Sequence, residues 1–299
     1  MTPVEVDFVS GGDVCSAWHF AGHGGDSVRR PVVVMAHGFG GTKDSGLAPF
    51  AERIAEAGAD VLAFDYRGFG ASQGLPRQSL SVRRQIADYH AAVDAAAALP
   101  GVDPGRVVLW GASFSGGHVL RVAAERDDVG AVIALTPLTS GMAVSRAAMK
   151  ARDLPTSLRW TLTGIRSKVS VARGGAPTMM PLVSPVGEGG ALALDGADES
   201  YRAMAGPSWR NEIDCSVGLE VLGVRTAAAA KRLRCPLLVQ IADSASYVPA
   251  DAAAATAAHG RAQVHHYPCD HFDVWPGHDW FDKAVGDQIA FLRRVVAAQ

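Results

Sequence analysis

Residues 106–117, RVVLWGASFSGG, set a short apolar run, a turn of small residues around a serine, and the start of an apolar helix in immediate succession. An unbroken apolar run suits a strand buried on both faces, and a strand that feeds a helix through a tight turn is the building unit of a parallel sheet. The turn reads Gly111-Ala112-Ser113-Phe114-Ser115, a G-x-S-x-G pattern with Ser115 in the last glycine's place. In a strand–turn–helix setting this pattern lifts a serine hydroxyl above the sheet. It needs small residues two before and two after the serine, because the strained turn brings backbone segments close together. Ser113 lies three residues beyond Trp110, the last strand residue, where the turn peaks; this favours it over Ser115 as the presented hydroxyl. The same residues would also serve as an ordinary helix N-cap, so the remainder of the chain has to discriminate.

Strands and helices alternate on either side of this motif. PVVVMAH (31–37), DVLAFDY (60–66), RVVLW (106–110) and AVIALT (131–136) read as buried strands, with helices over 47–58 and 79–99 between them. VEVDFVS and CSAWHFA, ahead of these, read as an antiparallel hairpin at the sheet edge. From Pro137 to about Thr226 the rhythm breaks, and so long and apolar a stretch reads as a mostly helical insert. The alternation resumes with a helix from Ala227, strand PLLVQIA (236–242), a helix from Ala250, strand RAQVHHY (261–267) and a last helix from about Asp279. The expectation is an α/β fold: a mostly parallel eight-stranded sheet with helices on both faces. Its core comprises 1–137 and 227–299, with 138–226 inserted as a helical cap.

With 48% hydrophobic and 19% charged residues the chain can bury a substantial core. A net charge of −2 gives no reason to expect nucleic acid or an anionic membrane as partner. No apolar run is long enough to span a bilayer, and MTPVEVDFVSGGDV has no secretory pattern. The four cysteines, Cys15, Cys215, Cys235 and Cys269, lack C-x-x-C spacing; free thiols in a cytoplasmic protein are the expectation.

Two further segments accompany the serine. HGFGG (37–41) directly follows the first buried strand, and PCDHFDVW (268–275) follows the last. With HGFGGTKDSG, FDYRGFGAS, LWGASFSGG and DHFDVWPG, the chain resembles the α/β-hydrolase family, near dienelactone hydrolase and peptidase-S15-type esterases. The resemblance covers 31–137 and 227–299 and is weak across the insert, where SWRNE (208–212) looks familiar but carries no evident chemistry. It implies a serine nucleophile, a histidine base on the loop after the last strand, an acid after the penultimate strand, and acyl transfer. Carried onto this sequence, the nucleophile is Ser113 and the base His271; His265 and His266 lie within the strand and His278 beyond the Pro276-Gly277 turn. The backbone N–H groups of Phe39 and Phe114 would hold the developing oxyanion.

One position departs from the family. The acid usually stands four residues before a proline; the segment Ala242–Pro249 has Ala245 there. Asp243 is the nearest substitute, with a turn-forming role as its competing explanation. Asp270, Asp214 and Glu220 are more distant candidates. In a serine protease, loss of the Asp lowers kcat by on the order of 10⁴, so a Ser–His pair alone would turn over slowly or serve another reaction.

Other candidates weigh less. Cys269, Asp270, His271, Asp273 and His278 include metal-ligand types but show no ligand spacing, so no metal is expected. HGFGG is not G-x-G-x-x-G, so Asp65 is not read as a dinucleotide acid and no cofactor is expected; Asp65 and Arg67 read as an ion pair. Met179, Met180, Trp160 and Trp209 are candidates for an apolar pocket, or for simple packing of the insert. The sequence therefore points to a serine hydrolase acting on an ester, thioester or lactone of a moderately apolar small molecule, with a second copy of the chain, in a homodimer, as the one protein partner considered. The alternatives are a non-hydrolytic acyltransferase, lyase, cyclase or epimerase on the same fold, and a ligand-binding protein that has lost catalysis.

Overall fold

The apolar runs become the strands of one sheet. In the computed structural model, which describes residues 1–23, 29–150, 154–245 and 248–297, the first half of the chain forms β1 (Val4–Ser10), β2 (Asp13–Phe20), β3 (Arg30–Ala36), α1 (Ala48–Glu56), β4 (Asp60–Phe64), α2 (Val82–Ala97), β5 (Val102–Ala112), α3 (Phe114–Glu125) and β6 (Val129–Leu135). The middle holds α4 (Gly141–Lys150), α5 (Leu154–Ala172), β7 (Met179–Met180), α6 (Ala197–Met204), β8 (Ile213–Asp214) and α7 (Val217–Leu222). The last part holds α8 (Ala227–Arg232), β9 (Leu237–Ala242), α9 (Ala250–His259), β10 (Gln263–Tyr267) and α10 (Phe281–Ala297).

The eight-stranded sheet runs β1-β2-β4-β3-β5-β6-β9-β10. β1 and β2 pair antiparallel, as does β2 with β4, and every other pairing is parallel. Val32–Ala36 of β3 and the whole of β4 are buried, as strands covered on both faces must be. β5 starts earlier than its apolar run, because Val102 pairs with Arg30 across a register shift before Val107 meets Val32. One helical layer contains α2, α3, α8 and α9, and the other contains α1 and α10. The α10 layer is tied to the sheet by buried amides: Gln288 donates to Gln240 at 2.7 Å and accepts from the Trp110 indole at 3.0 Å.

From β3 the chain first moves outward to β4, then crosses back to place β5 on the other flank of β3. At such a reversal the loops leaving the two strands diverge and leave a crevice at their carboxyl ends. The loop after β3 is HGFGG and the turn after β5 carries Ser113, so the topology brings the two motifs together. The stretch from Thr136 to Thr226 is less helical than expected: α4, α5, α6 and α7 cover under half of it, and the rest of its described residues form irregular chain and a two-stranded ribbon, β7 with β8, that its sequence did not announce. Among the described residues no helix is long and apolar enough to cross a membrane.

Candidate active site

Ser113 sits at φ +53° and ψ −113°, a left-handed conformation that a residue with a side chain adopts only when its surroundings impose it. Close packing beneath the turn imposes it here. A Cβ on Gly111 would stand 2.4 Å from the Ser115 carbonyl oxygen, and one on Gly38 would stand 3.1 Å from the Ser113 Cβ. Backbone bonds fix the turn further: Ser113 N–H donates to Leu135 at 2.8 Å, and its carbonyl accepts from Leu138 at 2.7 Å. The Ser113 hydroxyl makes no capping bond to α3. Ser115 behaves differently. It is fully buried; its hydroxyl donates to the His37 carbonyl and accepts from Tyr66 Oη at 2.6 Å. The serine in the glycine's place is therefore a strut between the elbow and the HGFGG loop.

Phe39 and Phe114 flank the turn with their rings 5.9 Å apart, edge to face. Phe114 is the first residue of α3, where N–H groups have no intrahelical carbonyl to meet. The peptide after Phe39 is held by Tyr201 of α6, whose hydroxyl donates to the Phe39 carbonyl. Asp65 ties this loop to the one after β4, accepting from Lys43 N at 2.6 Å, from Lys43 Nζ at 2.9 Å and, in the second loop, from Ala71 N at 3.0 Å. The expected Asp65–Arg67 pair does not form. Asp65 turns to the loop after β3, while Arg67 turns to α2, where its Nε meets Asp88 at 2.5 Å.

His271 follows β10 and is buried against Phe272, ring centres 5.2 Å apart. Burial pushes its imidazole down to about 4, so it is neutral near pH 7. The carboxylates weighed as its partner are engaged elsewhere. Asp243 accepts from His266 Nδ1 at 2.6 Å, and the Asp243 side chain is 42% exposed at the sheet edge. Asp214 accepts from the hydroxyls of Ser79, Ser167 and Ser216. Glu220 accepts from Val82 N and Lys168 Nζ, and Asp270 from the backbone N–H of His271 rather than its ring. Asp243 is displaced because its strand-end position points it across the parallel pair toward β10, where His266 is the neighbour. Ala245, where the sequence motif leads one to expect the acid, is half-buried.

Ser113, His271 and Phe39 all line one cavity of about 500 Å³. The rest of its wall is mainly apolar and comes largely from the segment between β6 and α8, including Trp160, Met180, Leu192 and Val221. Of the four proposed pocket residues, Trp160 and Met180 are in this wall. Met179 is not among its lining residues, because successive residues of β7 point to opposite faces. Trp209 stands behind the wall, its ring 5.6 Å from Tyr201. The SWRNE stretch acquires a role. Asn211 pairs through both amide atoms with the backbone of Val183, at 2.8 and 3.0 Å, and fixes the strip whose Leu182 packs under Gly40. Ser208 N–H and Gly206 N–H bind Asp44 and Ser45 of the loop after β3. Among the described residues no group of His, Cys, Asp and Glu could hold a metal ion.

Tyr201 gave no sequence signal, since a lone tyrosine in ADESYRAM reads as a packing residue. Replacing it with Phe removes the donor to the Phe39 carbonyl and keeps the ring. We expect kcat to fall about tenfold with little change in KM, the size of one net hydrogen bond acting on the geometry of the loop that carries Phe39. Steady-state kinetics on an activated ester would separate the two constants; a change confined to KM would make Tyr201 a pocket wall only.

A family model described as the alpha/beta hydrolase fold matches residues 31–176. Quorum-quenching protein AidA of Acinetobacter baumannii is 35% identical over 297 residues, spanning 98% of this chain and 95% of that protein. Thiohydrolase aneE of Aspergillus aculeatus is 33% identical over 157 residues, 52% of this chain and 49% of that protein. Among solved structures, α/β hydrolase GrgF from Penicillium sp. sh18 superposes with a TM-score of 0.82 at 24% identity over 99% of this chain and all of that one, a likeness of fold. Near full-length similarity to AidA and the sheet order agree with the motifs at the ends of β3, β5 and β10. The chain belongs to the α/β-hydrolase family.

Proposed function

We propose that the protein is a serine hydrolase of an ester, thioester or lactone of a moderately apolar small molecule. The observation that carries this reading is a serine held at φ +53° in the wall of an apolar cavity that a buried, neutral histidine also lines. Ser113 attacks the substrate carbonyl, and neutral His271 takes the hydroxyl proton and returns it to the leaving group. The N–H groups of Phe39 and Phe114 stabilise the oxyanion. Residues 138–226 act as a cap that encloses the acyl or ring portion of the substrate and excludes water. The relative named a thiohydrolase supports a thioester as one substrate form. The free cysteines, three of them buried, fit a reducing, cytoplasmic setting.

Ala245 favours one second reading on the same residues: a transferase or other non-hydrolytic enzyme, in which His271 acts as base without rapid acyl-enzyme turnover. Intact-mass spectrometry after a fluorophosphonate probe separates the two. A single phosphonyl adduct on the wild type, lost in Ser113→Ala, is the expected result. No adduct on the wild type, with labelling restored by Ala245→Asp, would overturn the hydrolase reading in favour of the second.

A further inference from the structure

Helix α5 carries an apolar stripe of which the cavity uses only Leu158. At 100° per residue, Leu158, Leu162, Ile165 and Val169 fall on one stripe of its surface, spaced 4-3-4. All four are solvent-exposed, from 42% at Val169 to 59% at Leu158. The opposite face is the packed one: Gly164 and Ser167 are buried, and a Cβ on Gly164 would stand 2.7 Å from the Cys215 carbonyl oxygen. The stripe therefore points straight out from the molecule.

Charge decides what could cover it. Arg159, Arg166 and, one residue past the helix end, Arg173 run along one flank of the stripe at seven-residue intervals. All three are exposed, and none makes an ion pair among the described residues. Lys168 borders the other flank, paired with Glu220 at 2.6 Å. The helix itself has no acidic residue. A second copy is a poor occupant. An antiparallel two-fold contact would bring Arg159 of each copy against Arg166 of the other, and a parallel one would bring Lys168 beside Arg173. An apolar ridge flanked by unpaired arginines matches instead the boundary between acyl chains and anionic headgroups, with the guanidinium groups reaching up to phosphates.

We propose that α5 is a peripheral docking helix for an anionic lipid surface. Its position gives the contact a consequence. Leu158 belongs to the stripe and also lines the cavity, and Leu222, 46% exposed, lines it too. Residues that are both exposed and cavity-lining mark the mouth, so docking through α5 turns the mouth toward the bilayer. An amphiphilic substrate then passes from lipid to Ser113 with little exposure to water. The delivery step rests on the serine-hydrolase reading; the docking itself does not.

The test is flotation of the full chain with vesicles of mixed phosphatidylcholine and phosphatidylglycerol, compared with phosphatidylcholine alone. It is run on wild type and on Ser113→Ala, so that docking and chemistry fail independently. Both proteins are expected to float with the anionic vesicles only, and less as salt is raised. Arg159→Gln/Arg166→Gln/Arg173→Gln should weaken binding on the order of 100-fold, and Leu162→Glu/Ile165→Glu should abolish it. Neither set touches the cavity wall, and unchanged melting temperatures would show that both fold. Absence of flotation, or flotation indifferent to both sets, would overturn the proposal. So would a wild type that sediments as a dimer and becomes monomeric in Ile165→Glu, which would assign the stripe to a second copy.

Discussion

Replacing Ser113 with alanine is expected to lower kcat on an activated ester by on the order of 10²-fold, and by up to roughly 10⁶-fold in an Ala245→Asp background. The difference follows from how a catalytic triad shares its work. In a serine protease, removing the serine costs about 2 × 10⁶ and removing the Asp alone about 3 × 10⁴. The serine's advantage that survives without the acid is thus only about two orders of magnitude. Ala245 stands where the sequence motif leads one to expect the acid, and Asp243, Asp214, Glu220 and Asp270 are engaged elsewhere. On the proposed hydrolase reading the wild type starts from the lower plateau, and Ser113→Ala falls from there to the level that the proposed oxyanion donors and binding sustain. Because the Ser113 side chain caps nothing, the melting temperature should move little. Single-turnover kinetics on the wild type, Ser113→Ala, Ala245→Asp and the double variant reads the result directly. A 10⁶-fold loss in the wild-type background would mean that another group already does the acid's work; no loss would place the chemistry elsewhere.

Between pH 7 and pH 5 the folded state should lose on the order of 4 kcal/mol of stability. The source is buried imidazole. Burial lowers His271 to about 4 and His118 to about 3, against 6.5 for an exposed ring. Between those values the unfolded chain binds protons that the folded one refuses, so stability rises with pH throughout the window and is lost as pH falls from 6.5 toward 4. Each ring contributes roughly 2 kcal/mol at pH 5, and the slope vanishes once both states are protonated. His37, also lowered by burial, adds with the same sign. Asp88 works in the other direction, since burial raises its carboxyl. Urea unfolding at the two pH values checks the sum, and His118→Asn should remove that ring's share. Equal stability at pH 5 and pH 7 would contradict the burial of these rings in neutral form.

What could be read from the residues in advance was whatever their near neighbours determine. The strands of the core, the elbow at Ser113 and the loop at Phe39 are written in runs of five to twelve residues, and the structure sets them at the expected strand ends. Pairings decided by distant parts of the chain were not readable. Asp65 and Arg67 stand two apart in sequence, yet one belongs with Lys43 and the other with Asp88. Met179 and Met180 look alike until a two-residue ribbon turns them to opposite faces. Asn211 acts through the backbone of Val183, 28 residues away, which no local pattern reveals. Net charge was the least informative quantity: a total of −2 conceals three unpaired arginines along a single helix.

Tyr201 and the backbone of residues 206–208 fasten the middle segment onto the loop that presents Phe39, while Asn211 holds the strip of that segment that packs under Gly40. On the proposed function, substrate selection and catalytic competence consequently share hardware. A relative's segment transplanted onto this sheet would bring a different cavity, but it would also leave the Phe39 carbonyl and Asp44 without their fastenings. Divergence in this lineage must then proceed by paired change, each new shape of enclosure accompanied by a matching change in the loop beneath it, rather than by exchange of interchangeable lids.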